Sequence, residues 1–409
     1  MKKVLTLFFL FLGWTSISNA QVGEVIWMDD FDSLNTDQWN IILGNGCPEL
    51  CFWGNSELQS YWQDNVYTDT IPGDPNNNAL VIEAKRESRD FMSFTSGRLD
   101  TEGNIEIQYG VIEVRMMIPD LETGLWPAFW LLGANHSEVG WPQSGEIDMM
   151  EMGHAQDYRE FHGHPNSTVN NFVGSNVIWY AQAACSDNNP TCAAAIAGDT
   201  GFNQPYEADS SMANRFVTYK LYWDQNNMSF AVEDEGVEYD LYTAPLGISS
   251  GELASTFRKP FFLLVNMAVG GTFTDASTTN DVTAPLPGKM YIDYIKVSKW
   301  NGQGTVTIDS TQVSNEEFSE IPEQTRLFQN YPNPFNPTTS ITFELKQSSL
   351  VELSVYDMNG RLVTELANNT YSAGTHSVNF NASGLASGVY YYRLNAGGEI
   401  FTKKMTLIK

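Results

Sequence analysis

From Val22 to about Trp300 the chain changes polarity at every second residue between turn signals. The runs A-L-V-I-E-A (79–84), Y-G-V-I-E-V-R-M-M-I (109–118), F-V-T-Y-K-L-Y-W (216–223) and M-Y-I-D-Y-I-K-V (290–297) all show it. On an extended strand, successive side chains point to opposite faces, so this period marks half-buried strands. Long heptad patterns are absent, and Gly and Asn are frequent. Many such strands over this length call for two stacked antiparallel sheets, an all-β fold.

The ends of the chain read differently. Lys2 and Lys3 precede the apolar run V-L-T-L-F-F-L-F-L-G-W and the small-residue stretch S-I-S-N-A. Residues 1–20 therefore read as a signal peptide, too short to span a bilayer, and imply export. Cys47, Cys51, Cys185 and Cys192 are the four cysteines. An even count in an exported chain, at these close spacings, predicts Cys47–Cys51 and Cys185–Cys192 disulfides. Neither pair has the C-x-x-C spacing of common zinc sites. Residues 301–324 hold five acids and no base, and read as an acidic linker.

Beyond it, 325–409 resume strand alternation, with hairpins at 351–363, turning at Asn359-Gly360, and at 387–408. They form a small C-terminal β-sandwich. The net charge is −27. Seven Lys/Arg against five acids give this tail +2, leaving −29 on the rest. Such a surface repels phosphate backbones, so nucleic acid is not an expected partner. It suits a neutral substrate. Eleven tryptophans exceed what a core needs, so some can serve as platforms.

The most unusual segment is S-G-E-I-D-M-M-E (144–151). Residues two apart share a face, so Glu146 and Asp148 project together while Ile147 enters the core. Strict alternation would bury Glu151. One extra residue at Met149-Met150, a β-bulge, restores the phase and puts all three acids on one face, with the methionines behind. Glycosidic hydrolysis needs such a set: a carboxylate at the anomeric carbon and a protonated acid at the leaving oxygen. Carboxyls about 5–5.5 Å apart give retention. Repulsion separates their pKa values, so one ionises while another keeps its proton. Calcium binding or a solvated edge are the competing readings of three acids.

G-E-I-D-M-M-E resembles the E-x-D-x-x-E signature of glycoside hydrolase family 16 in its bulged, laminarinase-like form. W-G-N-S-E-L-Q-S-Y (53–61), T-S-G-R-L (95–99), G-L-W-P-A-F-W-L-L-G (124–133), F-F-L-L-V-N-M-A-V-G-G (261–271) and 290–297 agree in the family's order. The resemblance covers about 22–300. It implies a jelly roll whose concave sheet forms an open cleft. It implies Glu146 as nucleophile, Glu151 as acid/base and Asp148 as assistant to Glu146. Trp126 and Trp130 would offer faces to sugars, and Arg98 and Asn55 would bond hydroxyls. Glu57 would bind sugar or orient its neighbours. Asp293 falls where the family often has a structural calcium ligand. No organic cofactor is implied. One departure is that T-V is followed by Asn170 where relatives often have His, while His162 and His164 lie upstream. The insertion around Cys185–Cys192 fits no family motif. Y-P-N-P-F-N-P-T-T-S-I, V-Y-D-M-N-G-R-L-V and K-K-M-T-L-I-K resemble the C-terminal sorting domain read by the type IX secretion system.

The resulting expectation is a monomeric, exported, retaining endo-β-1,3-glucanase. It has a signal peptide (1–20), a catalytic domain (21–300), a linker (301–324) and a sorting domain (325–409). Its partners would be a β-glucan and the type IX machinery, and its place the cell surface or the medium. Mixed-linkage β-1,3-1,4-glucanase activity and a silent glucan-binding protein are the alternatives.

Overall fold

The computed structural model describes residues 21–196, 204–246, 251–308, 325–330, 333–371 and 374–408. The expected signal peptide lies outside them, as does most of the expected linker. The described residues form two large antiparallel sheets stacked face to face. One has eight strands, running in space from Val237–Pro245 through Asn227–Asp234, Phe216–Trp223, Gly110–Met117, Gly288–Trp300 and Asp74–Ala84 to Val66–Ile71, with Val22–Asp29 also on Gly288–Trp300. The other has ten, and its path runs Ala193–Ala195, Phe172–Tyr180, Glu146–Glu151, Leu125–Gly133, Phe261–Val269, Arg98–Asp100 and Asn40–Ile41. The fold is the expected all-β jelly roll.

Alternation explains the stacking. Ile112, Val114, Leu221 and Ile295 from one sheet meet Leu99, Phe129, Ile147 and Val265 from the other in one continuous core. All eight are fully buried. Burying a side chain of this kind contributes roughly 1.5–3 kcal/mol. A charge inserted between the layers would therefore act against the whole sandwich.

One boundary differs from the sequence reading. Thr305–Ile308, inside the expected linker, pairs with Ile105–Gln108. T-V-T-I alternates β-branched residues, and Val306 packs against the main core, so the ladder extends beyond 300. The C-terminal residues build a separate core. A three-stranded sheet (Arg326–Leu327, Thr338–Leu345, Gly374–Asn381) faces a four-stranded one (Leu362–Tyr371, Ser349–Asp357, Gly388–Ala396, Glu399–Leu407). Phe343, Leu353, Tyr392 and Met405 lie between them. Both expected hairpins form. Gly360 and the pair Gly397-Gly398 take the positive φ their turns require.

Candidate active site

The acidic strand Glu146–Glu151 lies between Leu125–Gly133 and Phe172–Tyr180. On one side Trp130 pairs with Asp148 and Phe129 with Met150, so Met149 has no partner. On the other, Asp148 pairs with Asn176 and Glu151 with Gly174, three residues against two. This is the expected bulge. Met149 and Met150 both lie in the core.

Register then fixes rows across the outward face of the ten-stranded sheet. One row reads Arg98, Asn266, Ala128, Glu151, Gly174. The next reads Asp100, Leu264, Trp130, Asp148, Asn176. The third reads Phe262, Leu132, Glu146, Ile178, Ala195. The three acids thus occupy adjacent rows of one face. Phe262, Leu264, Leu132 and Trp130 form an apolar patch beside them.

The surroundings separate the carboxyls. Burial pushes Glu146 up to about 7, while a hydrogen bond from Trp141, the charge of Arg98 and a hydrogen bond with Asp148 favour its ionised form. Burial pushes Glu151 up to about 8, and the negative charge of Glu146 adds to this. The Trp126 indole N–H donates to Glu151 Oε1 at 3.1 Å. Asp148 is 4% exposed, and burial together with both flanking charges raises it well above the carboxylate range. A protonated Asp148 is thereby a donor to Glu146. Desolvation penalises the charged form, and a nearby like charge penalises it again. Of Glu146 and Glu151, Glu146 gives up its proton first.

The expected binding residues divide. Arg98 shares the row of Glu151, and its guanidinium lies over the indoles of Trp53 and Trp130, 4.6 and 5.0 Å from their centroids. Trp130 is half-buried on the cleft face, with its N–H bonded to Asn266 Oδ1 at 2.8 Å. Trp126 differs from expectation. It is 9% exposed and stacked on Phe273 at 4.2 Å, so that ring face is closed to sugar. Its place is beneath Glu151. Glu57 is buried and accepts from Gln59 at 2.5 Å, Tyr61 at 3.2 Å and Asn55 at 3.3 Å. It orients its neighbours.

None of the three candidates for the position beside the acid/base is paired with the acidic strand. Asn170 bonds Asp120 and the Leu121 backbone N–H, before the strand Phe172–Tyr180 begins. His164 meets Glu207, and His162 packs on Tyr158. The residues facing the acids from that strand are Gly174, Asn176 and Ile178. A Cβ on Gly174 would come within 2.8 Å of His154 Nε2, so buried His154 fills the space a side chain there would take.

Asp293 is bonded by the guanidinium of Arg115. A cation already occupies that carboxylate, and among the described residues no group of three His, Cys, Asp or Glu is arranged to hold a metal ion. Both expected disulfides are present. The insertion closed by Cys185–Cys192 leads into Ala193–Ala195, which adds an edge strand to the cleft sheet.

Sequence reading missed Trp53, Trp141, Asn176, Asn266 and His154. Asn266 left a signal, a lone amide in a nine-residue strand that is otherwise apolar. The others are ordinary in sequence and become site residues only through register.

The geometry can be set beside known proteins. Residues 55–239 match glycosyl hydrolases family 16, and residues 329–409 match the secretion system C-terminal sorting domain. A glucan endo-1,3-beta-glucosidase of Cryptopygus antarcticus is 30% identical over 287 residues, covering 67% of this chain and 92% of that one. The clotting factor G alpha subunit of Tachypleus tridentatus is 31% identical over 280 residues, covering 68% of this chain and 34% of that protein. The chain thus spans about a third of that relative's length. The laminarinase catalytic domain of Thermotoga maritima MSB8 is similar in structure, with a TM-score of 0.51 and 30% identity, covering 68% of this chain and 99% of that one. The chain belongs to glycosyl hydrolase family 16, and it carries a secretion-system sorting domain at its C-terminal end.

Proposed function

We propose that the protein is an exported, retaining endo-β-1,3-glucanase, with laminarin-type glucan as substrate. The observation that carries the reading is the three-row placement of Glu146, Asp148 and Glu151 on one face, with Glu146 the easier to ionise. Glu146 attacks the anomeric carbon as Glu151 passes its proton to the departing sugar oxygen. Asp148, holding its own proton, bonds Glu146 and is relieved of that contact as the nucleophile's charge is consumed. Glu151, now ionised, removes a proton from water. The water oxygen bonds the anomeric carbon, and the bond to Glu146 breaks. The hydrolysis consumes one water and needs no redox partner.

Trp130, seated on the buried Leu132, Phe262 and Leu264, suits the apolar face of a sugar ring, and Arg98 suits hydroxyls. The charge of −29 outside the tail disfavours sulfated galactans. The sorting domain supports delivery across the outer membrane by the type IX route. Mature protein on the cell surface or in the medium would meet polymer there.

The test is reducing-sugar release from laminarin, lichenan, curdlan and agar by wild type and Glu146→Ser. Release from laminarin and curdlan, lost in Glu146→Ser, is the expected result. Preference for lichenan would move the assignment to mixed-linkage glucan. Binding of laminarin without release by wild type would replace the enzyme with a silent lectin.

A further inference from the structure

The loop that brings Trp53 onto Arg98 is built against its own backbone preference. Phe52 and Trp53 are consecutive and both left-handed, at φ 56°, ψ 31° and φ 53°, ψ 24°. Side chains with a Cβ rarely enter that region, and aromatic ones less still. Ser56, three residues on, has φ 58°. Such strain persists only where surrounding structure over-determines it.

Three restraints do so here. The Cys47–Cys51 disulfide closes the loop immediately before Phe52. Around it, the Phe52 N–H donates to Asn45 O at 2.8 Å and the Leu50 N–H to Gly46 O at 2.7 Å. Gly46 sits at φ +81°, where a Cβ would lie 2.2 Å from Leu50 O and 3.2 Å from the Trp53 ring. The ring closure is therefore packed tightly under the indole.

What the strain achieves is the contact with Arg98. Trp53 and Trp130 both present a ring face to the guanidinium, at 4.6 and 5.0 Å. Arg98 Nε is buried without a hydrogen-bond partner, and no ion pair among the described residues includes Arg98. Glu57 and Glu146 act on its charge from beyond ion-pair distance, so the contacts that orient it are the two ring faces, which leaves its outer nitrogens for sugar hydroxyls.

From this we propose that the Cys47–Cys51 loop is a positioning device. By forcing Trp53 onto Arg98 it holds the guanidinium ready for substrate, and it reaches that state only once the disulfide has formed outside the reducing cytoplasm. Trp53 is a positioning residue that acts through Arg98. The inference rests on the glucanase reading for its kinetic arm and is independent of it in its spectroscopic arm.

The experiment uses the oxidised full chain with Trp53→Ala, Trp53→Phe, Cys47→Ser/Cys51→Ser and Arg98→Ala, and laminarin as probe. Trp53→Ala and the double serine variant should raise KM about tenfold, the scale of one cation–π contact, with kcat within about twofold. Trp53→Phe, which keeps a ring face, should recover most of the loss. Trp53→Ala added to Arg98→Ala should cost nothing more. Additive effects, or an unmoved KM in the serine variant, would overturn the proposal. A wild type inactive on every glucan would sink the glucanase reading alone. The loop is then judged by the Arg98 side-chain N–H resonance in a ¹H–¹⁵N spectrum, assigned by its absence in Arg98→Lys. Ring currents from two indoles should shift it upfield, and Trp53→Ala or reduction of the disulfide should return it toward the free-arginine position. An unshifted resonance in wild type refutes the ring contacts.

Discussion

The two large sheets treat their carboxylates in opposite ways. In the eight-stranded sheet, most buried or half-buried acids meet cations: Glu113 with Lys296 at 2.9 Å, Glu233 with Lys220 at 2.6 Å, Asp293 with Arg115 and Asp234 with Arg215, while Asp29 accepts from the Trp39 indole N–H at 2.9 Å instead. In the ten-stranded sheet, no ion pair among the described residues includes Glu146, Asp148 or Glu151. Paired acids keep their charge, because the partner offsets the lost water. Unpaired ones share protons and rise in pKa. The first arrangement holds an architecture, whereas the second stores a donor and an acceptor side by side. The contrast teaches where to look for chemistry: a cluster of buried acids that forms no ion pair is kept for something other than stability.

Variants at Glu146, at Glu151 and at the Lys296–Glu113 pair test this contrast. The largest effect should come from Glu146→Gln, which removes the unpaired acid that ionises first. The kcat on laminarin should fall about 10⁴-fold or more with the fold intact, as for loss of a nucleophile elsewhere. Retained turnover would move the nucleophile to another residue.

Glu151→Gln should lower kcat on glucan by about 10²–10⁴-fold, the usual worth of general acid–base catalysis. Wild-type activity should decline on the alkaline side as Glu151 loses its proton, with the free-enzyme limb near 8. The variant's residual activity should lack that limb. A pH–rate profile with the same alkaline limb in both would assign the proton donor elsewhere.

Across the molecule, Lys296→Met strands Glu113, which is 5% exposed. Breaking a buried pair this way should cost about 3 kcal/mol in urea unfolding, with kcat unchanged. Adding Glu113→Leu should recover most of the loss, since an apolar pair can replace a buried ionic one. A fall in kcat would blur the division between the sheets.

The smallest effect concerns stability. The folded pKa of Glu151 is raised from 4.5 to about 8, so the folded state holds a proton the unfolded chain has released in that window. Stability contributed by this group is full below about 4.5 and lost as pH rises through about 8. Relative to wild type, Glu151→Gln should therefore gain in urea midpoint between pH 5 and pH 9. Urea unfolding curves at both values measure it, and a gain at pH 5 alone would contradict the sign.

How much of this was legible in the chain depends on distance along it. The strands, the bulge and both disulfides are short-range matters. Period two, an extra residue between acids, and cysteines a few positions apart can be read in one window. The extension of the ladder to Ile308 was hidden by its acidic surroundings, although T-V-T-I carries its own β signal. Trp126 was misjudged because a W-P-A-F-W run does not reveal that Phe273, far along the chain, covers the first indole.

By itself, then, the sequence determined the period, and with it an all-β sandwich in which Glu146, Asp148 and Glu151 share a face. Tertiary structure alone decided which acids would be left without a cation. It also decided that Asp293 faces Arg115, and that Asn176 and Gly174 stand opposite the acids in place of Asn170, His162 or His164. The reason is physical. Which face a side chain takes follows from its neighbours two residues away, whereas its charge state depends on burial and on partners brought in by strand register from distant segments.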